Sequence, residues 1–210
     1  MKILGFSAKK QGGKTTAMRC VLSEYPCVEL SMAGLLKDIV RQCFIPPDWG
    51  YLELVLDEEK NLVLPCGKTI RQVLQVVGTD MFRGLWDNCW INAFLVQVAK
   101  YRSSGVRNIV IPDIRFPNEV EAVQALGGTV IRLQRAPFEG TDQHSSETAL
   151  DATPLRKGGI HFYVAGPCLM EHSWMPSSGF DVTIDNRSMS IPDQNEAVLR
   201  LVRECGLLEA

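Results

Sequence analysis

Few folds accommodate the run Ala8-Lys-Lys-Gln-Gly-Gly-Lys14-Thr15 set between a short apolar stretch, residues 2–6, and an amphipathic one, residues 14–24. The run fits the pattern G-x-x-x-x-G-K-[ST], with Ala8 in place of the first glycine. In such a turn successive backbone N–H groups point inward and the following helix adds the positive end of its dipole. A lysine then reaches the terminal phosphates, and a hydroxyl is offered to Mg²⁺. The expectation is a loop that grips ATP, with Lys10, Gly12, Gly13, Lys14, Thr15 and Thr16 as nucleotide contacts and Thr15 as the Mg²⁺ ligand. An ordinary glycine-rich turn with a solvated lysine is the plain alternative.

The rest of the chain continues strand, helix, strand, helix, which predicts an α/β architecture: a P-loop NTPase-type three-layer fold with a mostly parallel central sheet and helices on both faces. Strands are expected at 2–6, 27–30, 108–112, 129–133 and 180–184. Helices are expected at 14–24, from a Ser31 cap through 42, and at 69–77, 85–101, 118–126 and 193–205. Residues 51–64 read as a small hairpin or excursion. The polar stretch 136–159 reads as an exposed, mobile lid, and 160–176 shows no clear period. At 210 residues one domain is expected, spanning 1–210, with a substrate-binding excursion at about 45–105 and the lid at about 136–159.

Composition narrows the function classes. With 22 Lys+Arg against 24 Asp+Glu there is no basic block to neutralise a row of phosphates, which disfavours a nucleic-acid polymer as partner. No apolar run approaches the length of a membrane span and the N-terminus lacks a signal-like apolar region, so a cytoplasmic protein is expected. Seven scattered cysteines with no C-x-x-C pair indicate reduced core thiols rather than disulfides or a thiolate zinc site.

The phosphate loop alone does not choose between a switch GTPase, a motor ATPase and a small-molecule kinase. An N-K-x-D guanine-reading motif is absent, since Asn108, Asn118 and Asn186 are followed by Ile, Glu and Arg. After the strongest strand comes Asp113-Ile-Arg115, one acid followed by an arginine, at the strand end where open α/β sheets take ligands. Asp113 can hold Mg²⁺ through water or orient an acceptor, and Arg115 can clamp a phosphate. A local ion pair with Asp113 or Glu119 is the alternative for Arg115. Arg132 and Arg135 lead into the lid, and Arg135 is the preferred cation for the transferring phosphate. Arg71 and Gly78 fall on one face of a helix that ends there and can share a pocket, with capping by Gly78 and Asp80 as the equal rival. Trp86 and Trp90, four apart, read as a core aromatic pair. His144-Ser-Ser-Glu147 is too sparse for a zinc site, and His161 and His172 have no evident partner.

The ordered set Ser7 through Thr15, Ala33-Gly-Leu-Leu-Lys37-Asp38, Arg71, Val77-Gly78-Thr79-Asp80, Trp90, Pro112-Asp113-Ile-Arg115, Glu119, Arg135, His144-Ser-Ser-Glu147 and Val182-Thr-Ile-Asp185-Asn186 resembles the deoxynucleoside monophosphate kinases of tailed bacteriophages. The resemblance implies transfer of the ATP γ-phosphate to a deoxynucleoside monophosphate with Mg²⁺, on a kinase core with a mobile lid, often as a homodimer. It implies Lys14, Asp113 and Arg135 as catalytic groups, and an acceptor pocket of Lys37, Arg71, Gly78, Thr79, Trp90, Asp113, Arg115 and Glu119. Ala8, the excursion 45–66 and residues 158–177 depart from the family pattern. The alternatives are a P-loop kinase of another small acceptor, such as dephospho-coenzyme A, and a non-catalytic nucleotide-binding module.

Overall fold

Side chains of β1 (Lys2–Ser7) alternate between two hydrophobic cores, and that alternation sets the layering. The computed structural model describes residues 1–9, 12–135, 145–151, 155–165, 168–172 and 179–209, with backbone alone for 155–165 and 168–172. Leu4 and Phe6 face one core, shared with α1 (Lys14–Glu24) and α8 (Ile191–Glu204). Ile3 faces the other, shared with α5 (Cys89–Ser103) and α6 (Pro117–Ala125).

The sheet between these layers runs β2 (Val28–Glu29), β3 (Asn108–Ile111), β1, β4 (Thr129–Leu133), β7 (Phe180–Asp185), all parallel. β5 (Leu155–Ala165) adds in parallel beside β7, and β6 (Cys168–His172) pairs with β5 antiparallel. The three-layer, mostly parallel expectation holds. β3 is buried at every position, as a strand covered on both faces must be. The stretch 160–176, without period in sequence, contributes to the β5–β6 hairpin; the lid stretch contains α7 (Ser145–Thr148) and the start of β5, and its residues 136–144 and 152–154 lie outside the described residues.

A third core holds no buried strand residue. It joins α2 (Gly34–Phe44), the excursion and α4 (Ile70–Gln75) around Val40, Leu54, Leu64, Ile70 and Trp90. Here the structure corrects several sequence expectations. Residues 51–64 do not form a hairpin: Asp57–Asn61 is a short helix, α3, and Glu59 ties the preceding loop by accepting the Glu53 and Val55 amides. The helix beginning after Thr69, which caps it through Gln72, does not stop at Gly78 but continues as a π-helical stretch, Val76–Arg83. Trp86 and Trp90 do not pair, because the chain leaves the helix at Trp86–Asn88 before α5 starts. Trp86 is exposed, and the ring beside Trp90 is Phe82, centroids 5.0 Å apart. Ser31 does not cap α2, which begins three residues later, and its hydroxyl is committed to Asp113. α8 begins earlier than expected because Ser190 and Asp193 form a capping box that accepts Pro192 in the first turn. Thiols are less buried than expected: Cys43, Cys66 and Cys205 are exposed, while burial pushes the Cys27 thiol up to about 11. Among the described residues no helix is long and apolar enough to cross a membrane.

Candidate active site

Sheet register brings the phosphate loop and Asp113 together. β1 and β3 pair with Gly5 opposite Ile111, so the loops leaving their C-terminal ends emerge side by side, and the Ile114 amide donates to the Phe6 carbonyl at 3.2 Å.

Gly13 starts α1 with φ +89°, a left-handed conformation, and a Cβ there would come 2.2 Å from Gln194 Oε1. Only glycine meets both demands. At Gly12 a Cβ would lie 2.7 Å from the Ala8 methyl, so the bare Gly12 leaves the room that Ala8 occupies. Ala8 itself needs no left-handed backbone, since Leu54 is the one described non-glycine residue with positive φ. The departure from the glycine pattern therefore carries no backbone strain. The loop is held from behind by two fully buried amides. Asn186 Nδ2 donates to the Gly12 carbonyl at 3.1 Å, Gln194 Nε2 donates to the Gly13 carbonyl at 3.2 Å, and Asn186 Nδ2 also donates to Gln194 Oε1 at 2.5 Å. Gln194 was not legible as a loop residue, because it sits 181 positions away on an otherwise amphipathic helix.

The Lys14 ammonium donates to the Ala8 carbonyl at 2.5 Å, keeping its charge at the start of the loop. Thr15 is exposed and Thr16 half-buried in the first turn of α1, which has neither a side-chain cap nor an acidic residue there. The Thr15 hydroxyl is a hard oxygen of the kind Mg²⁺ takes while keeping most of its shell from water and phosphate oxygens. Lys10 lies outside the described residues. Arg135 donates to the Met189 carbonyl at 3.2 Å. Arg132 on β4 is buried beside Ser7 at the end of β1, donating to Ser7 Oγ at 2.8 Å, and Asp151 links it to Lys9, at 3.7 and 2.8 Å.

Beside the loop opens a cleft of about 180 Å³ whose lining includes Lys37, Arg71, Gly78, Thr79, Trp90, Asp113, Arg115 and Glu119, all eight residues of the expected acceptor pocket. Lys60, Gln75, Arg83 and Phe116, which sequence reading passed over, line it too. Five cations and two carboxylates face this space, a field that favours an anion.

Both carboxylates are committed. Asp113 accepts the Ser31 hydroxyl at 2.5 Å, the Met32 amide at 2.8 Å and the Ala33 amide at 3.1 Å, which fixes the turn leading into α2 and hence the placement of Lys37. Glu119 accepts the Arg115 amide at 2.8 Å and the Phe116 amide at 3.2 Å, and its ion pair is with Arg83 at 2.6 Å. Glu119 thus meets residue 115 through its main-chain amide. Trp90 Nε1 donates to the Gly78 carbonyl at 2.8 Å, so the indole is a buried brace for the π-helical wall. Gly78 meets Leu36 of α2, whose Cδ2 would lie 2.6 Å from any Cβ; close packing, not helix termination, is its use here.

Burial pushes the Glu119 carboxyl above its ordinary value, and the Arg115 amide and Arg83 charge counter this only in part. A carboxyl whose folded value exceeds its unfolded one contributes stability that is present below the unfolded value and lost as pH rises through the folded one. The stability of the parent relative to Glu119→Gln is therefore expected to decline as pH climbs from about 4 through the range above ordinary carboxylates. Thermal melts of both proteins across pH check this; an advantage that grows with pH would mean that Arg83 outweighs burial.

His144 falls outside the described residues, as does the side chain of Glu147. His161 and His172 stand opposite one another in the β5–β6 register. No cluster of three metal-binding side chains occurs among the described residues.

Comparison with known proteins agrees with this geometry. A sequence model of the deoxynucleotide monophosphate kinase family matches residues 53–156, the stretch that carries most of the cleft. The deoxynucleotide monophosphate kinase of Enterobacteria phage T4 is 30% identical, over 76% of this chain and 91% of that protein. A candidate deoxynucleotide monophosphate kinase of Acanthamoeba polyphaga mimivirus is 31% identical, over 71% of this chain and 82% of that protein. The corresponding kinase of Escherichia phage RB69 is 33% identical over 44% of this chain and 37% of its own length. The chain belongs to the deoxynucleotide monophosphate kinase family.

Proposed function

We propose that this kinase transfers the γ-phosphate of ATP to a deoxynucleoside monophosphate, giving the diphosphate and ADP. The observation that carries the reading is the cationic cleft whose Asp113 and Arg115 leave β3 beside β1, the strand that leads into the phosphate loop. In this scheme an oxygen of the acceptor phosphate attacks the γ-phosphorus, the bond from that phosphorus to the β-γ bridging oxygen breaks, and ADP leaves with the electron pair. No covalent enzyme intermediate forms, and the protein contributes positioning and charge neutralisation.

Gly12, Gly13, Lys14 and Thr16, with Lys10, hold the triphosphate. Thr15 would hold Mg²⁺, which supplies charge neutralisation at the β- and γ-phosphates when bound. Lys37, Arg71 and Arg115 receive the acceptor phosphate, Gly78, Thr79 and Trp90 form the wall for the nucleoside, and Glu119 supports that wall. Asp113 orients the acceptor side, and Arg135 with the lid at about 136–159 closes over the transferring group. The domain is single, 1–210, with the acceptor excursion at about 45–105. A homodimer, which rests on the family alone, and a place in the cytoplasm with no nucleic-acid polymer or membrane as partner, which rest on charge and hydropathy, complete the reading.

Coupled ADP-release assays with ATP and each of dGMP, dTMP, dCMP and dAMP test it. At least one monophosphate is expected to stimulate ADP release strongly over ATP alone. Absence of stimulation by all four rejects the proposal.

A further inference from the structure

The two walls of the cleft come from distant stretches: the π-helical segment carrying Gly78 and Thr79, and the loop after β3 carrying Asp113 and Arg115. Arg83, the last residue of the π-helical segment, joins them. It is only 8% exposed, and its guanidinium divides between two sides. Nη1 donates to Asp87 Oδ1 at 2.6 Å and to the Asp87 carbonyl at 3.1 Å, while Nη2 donates to Glu119 Oε1 at 2.6 Å. The guanidinium also stands over the Phe116 ring, 3.7 Å from its centroid. The other oxygen of Glu119 receives the Arg115 and Phe116 amides. One guanidinium thus fixes, through one carboxylate, the main chain from which the Arg115 side chain projects.

A buried ion pair is weak evidence of a stability role, because a matched apolar pair of similar volume usually serves as well. What an apolar pair cannot do is accept two amides in a set direction while bonding to the opposite wall. We propose that Arg83 is a positioning residue for the acceptor monophosphate: by clamping Glu119 it holds Arg115 in register with Gly78 and Thr79. The proposal rests on the kinase reading above. It predicts a selective defect in acceptor affinity, because the contacts of Arg83 described here lie on the acceptor side and not on the phosphate loop.

Arg83→Met alone strands a buried carboxylate and lowers stability. The informative variant is therefore Arg83→Met with Glu119→Met, which removes both charges together. Its KM for the monophosphate is expected to rise about tenfold or more, with KM for ATP and kcat at saturating acceptor changing by less than about threefold. Asp87→Ala, at a side chain 70% exposed, loosens only the outer arm of the clamp and is expected to raise the same KM by about threefold. A folded double variant with an acceptor KM within about twofold of the parent overturns the proposal, as does an equal loss toward both substrates. Should the double variant not fold, Asp87→Ala decides alone, and an unchanged acceptor KM overturns it. A parent enzyme that releases no ADP with any monophosphate would instead remove the kinase reading, a separate outcome.

Discussion

Lys14→Ala is expected to lower kcat by on the order of 100- to 1,000-fold, the cost of removing one preorganised charge from a phosphoryl-transfer transition state. The fold should survive the change. The Lys14 ammonium donates to the Ala8 carbonyl, and a hydrogen bond made by a charged group contributes roughly 1.5–3 kcal/mol to stability. The loop's shape depends instead on Gly12, Gly13 and the amides of Asn186 and Gln194. Steady-state ADP release beside a thermal melt separates the two quantities. Undiminished turnover in Lys14→Ala would show that this lysine does not act on the transferred phosphate, and with that the central chemical assignment would fail.

Asp113→Ala should be damaging in two ways at once. Its carboxylate receives a hydroxyl and two amides from residues 31–33, and bonds to a charged acceptor are worth roughly 1.5–3 kcal/mol each, not additively. A stability loss of about 3 kcal/mol is expected in urea unfolding, together with a fall in kcat/KM for the monophosphate of about 100-fold or more as the α2 turn and Lys37 lose their anchor. Asp113→Asn keeps one of the two acceptor oxygens, enough for the Ser31 and Ala33 side but not for the Met32 amide as well, so it should recover part of the stability. It should not recover turnover, because the charge that would face the acceptor is gone. An Asn variant that restores both would reduce Asp113 to an anchor for the turn.

Local physics made some of this legible and non-local contacts hid the rest. β4 and α1 begin and end where residue pattern places them, because apolar runs and a glycine before a helix are signals carried within a few residues. The eight cleft residues are implied by the family resemblance, and the fold gathers them around one cleft. Arg83 could not be found this way. An arginine between Phe82 and Gly84 reads as a solvated residue until Glu119, 36 positions on, is packed against it. The π-helical continuation past Gly78 escaped for a related reason: glycine is a poor helix residue in isolation, and here contact with Leu36 and the Trp90 indole decide the matter. The excursion misled because Asp57-Glu-Glu-Lys-Asn61 resembles a polar turn, whereas Glu59 gathers amides from the preceding loop and nucleates a helical turn.

The two buried amides behind the phosphate loop bear on how the protein is made. A ribosome delivers Gly12 and Gly13 well over a hundred residues before Asn186 and Gln194, the side chains that donate to their carbonyls. β1 likewise waits for β3 and β4 before it has neighbours on either side. A nascent chain therefore carries its nucleotide grip unfinished until α8 has been made. The loop's two carbonyls find their buried donors when Asn186 and α8 dock against it.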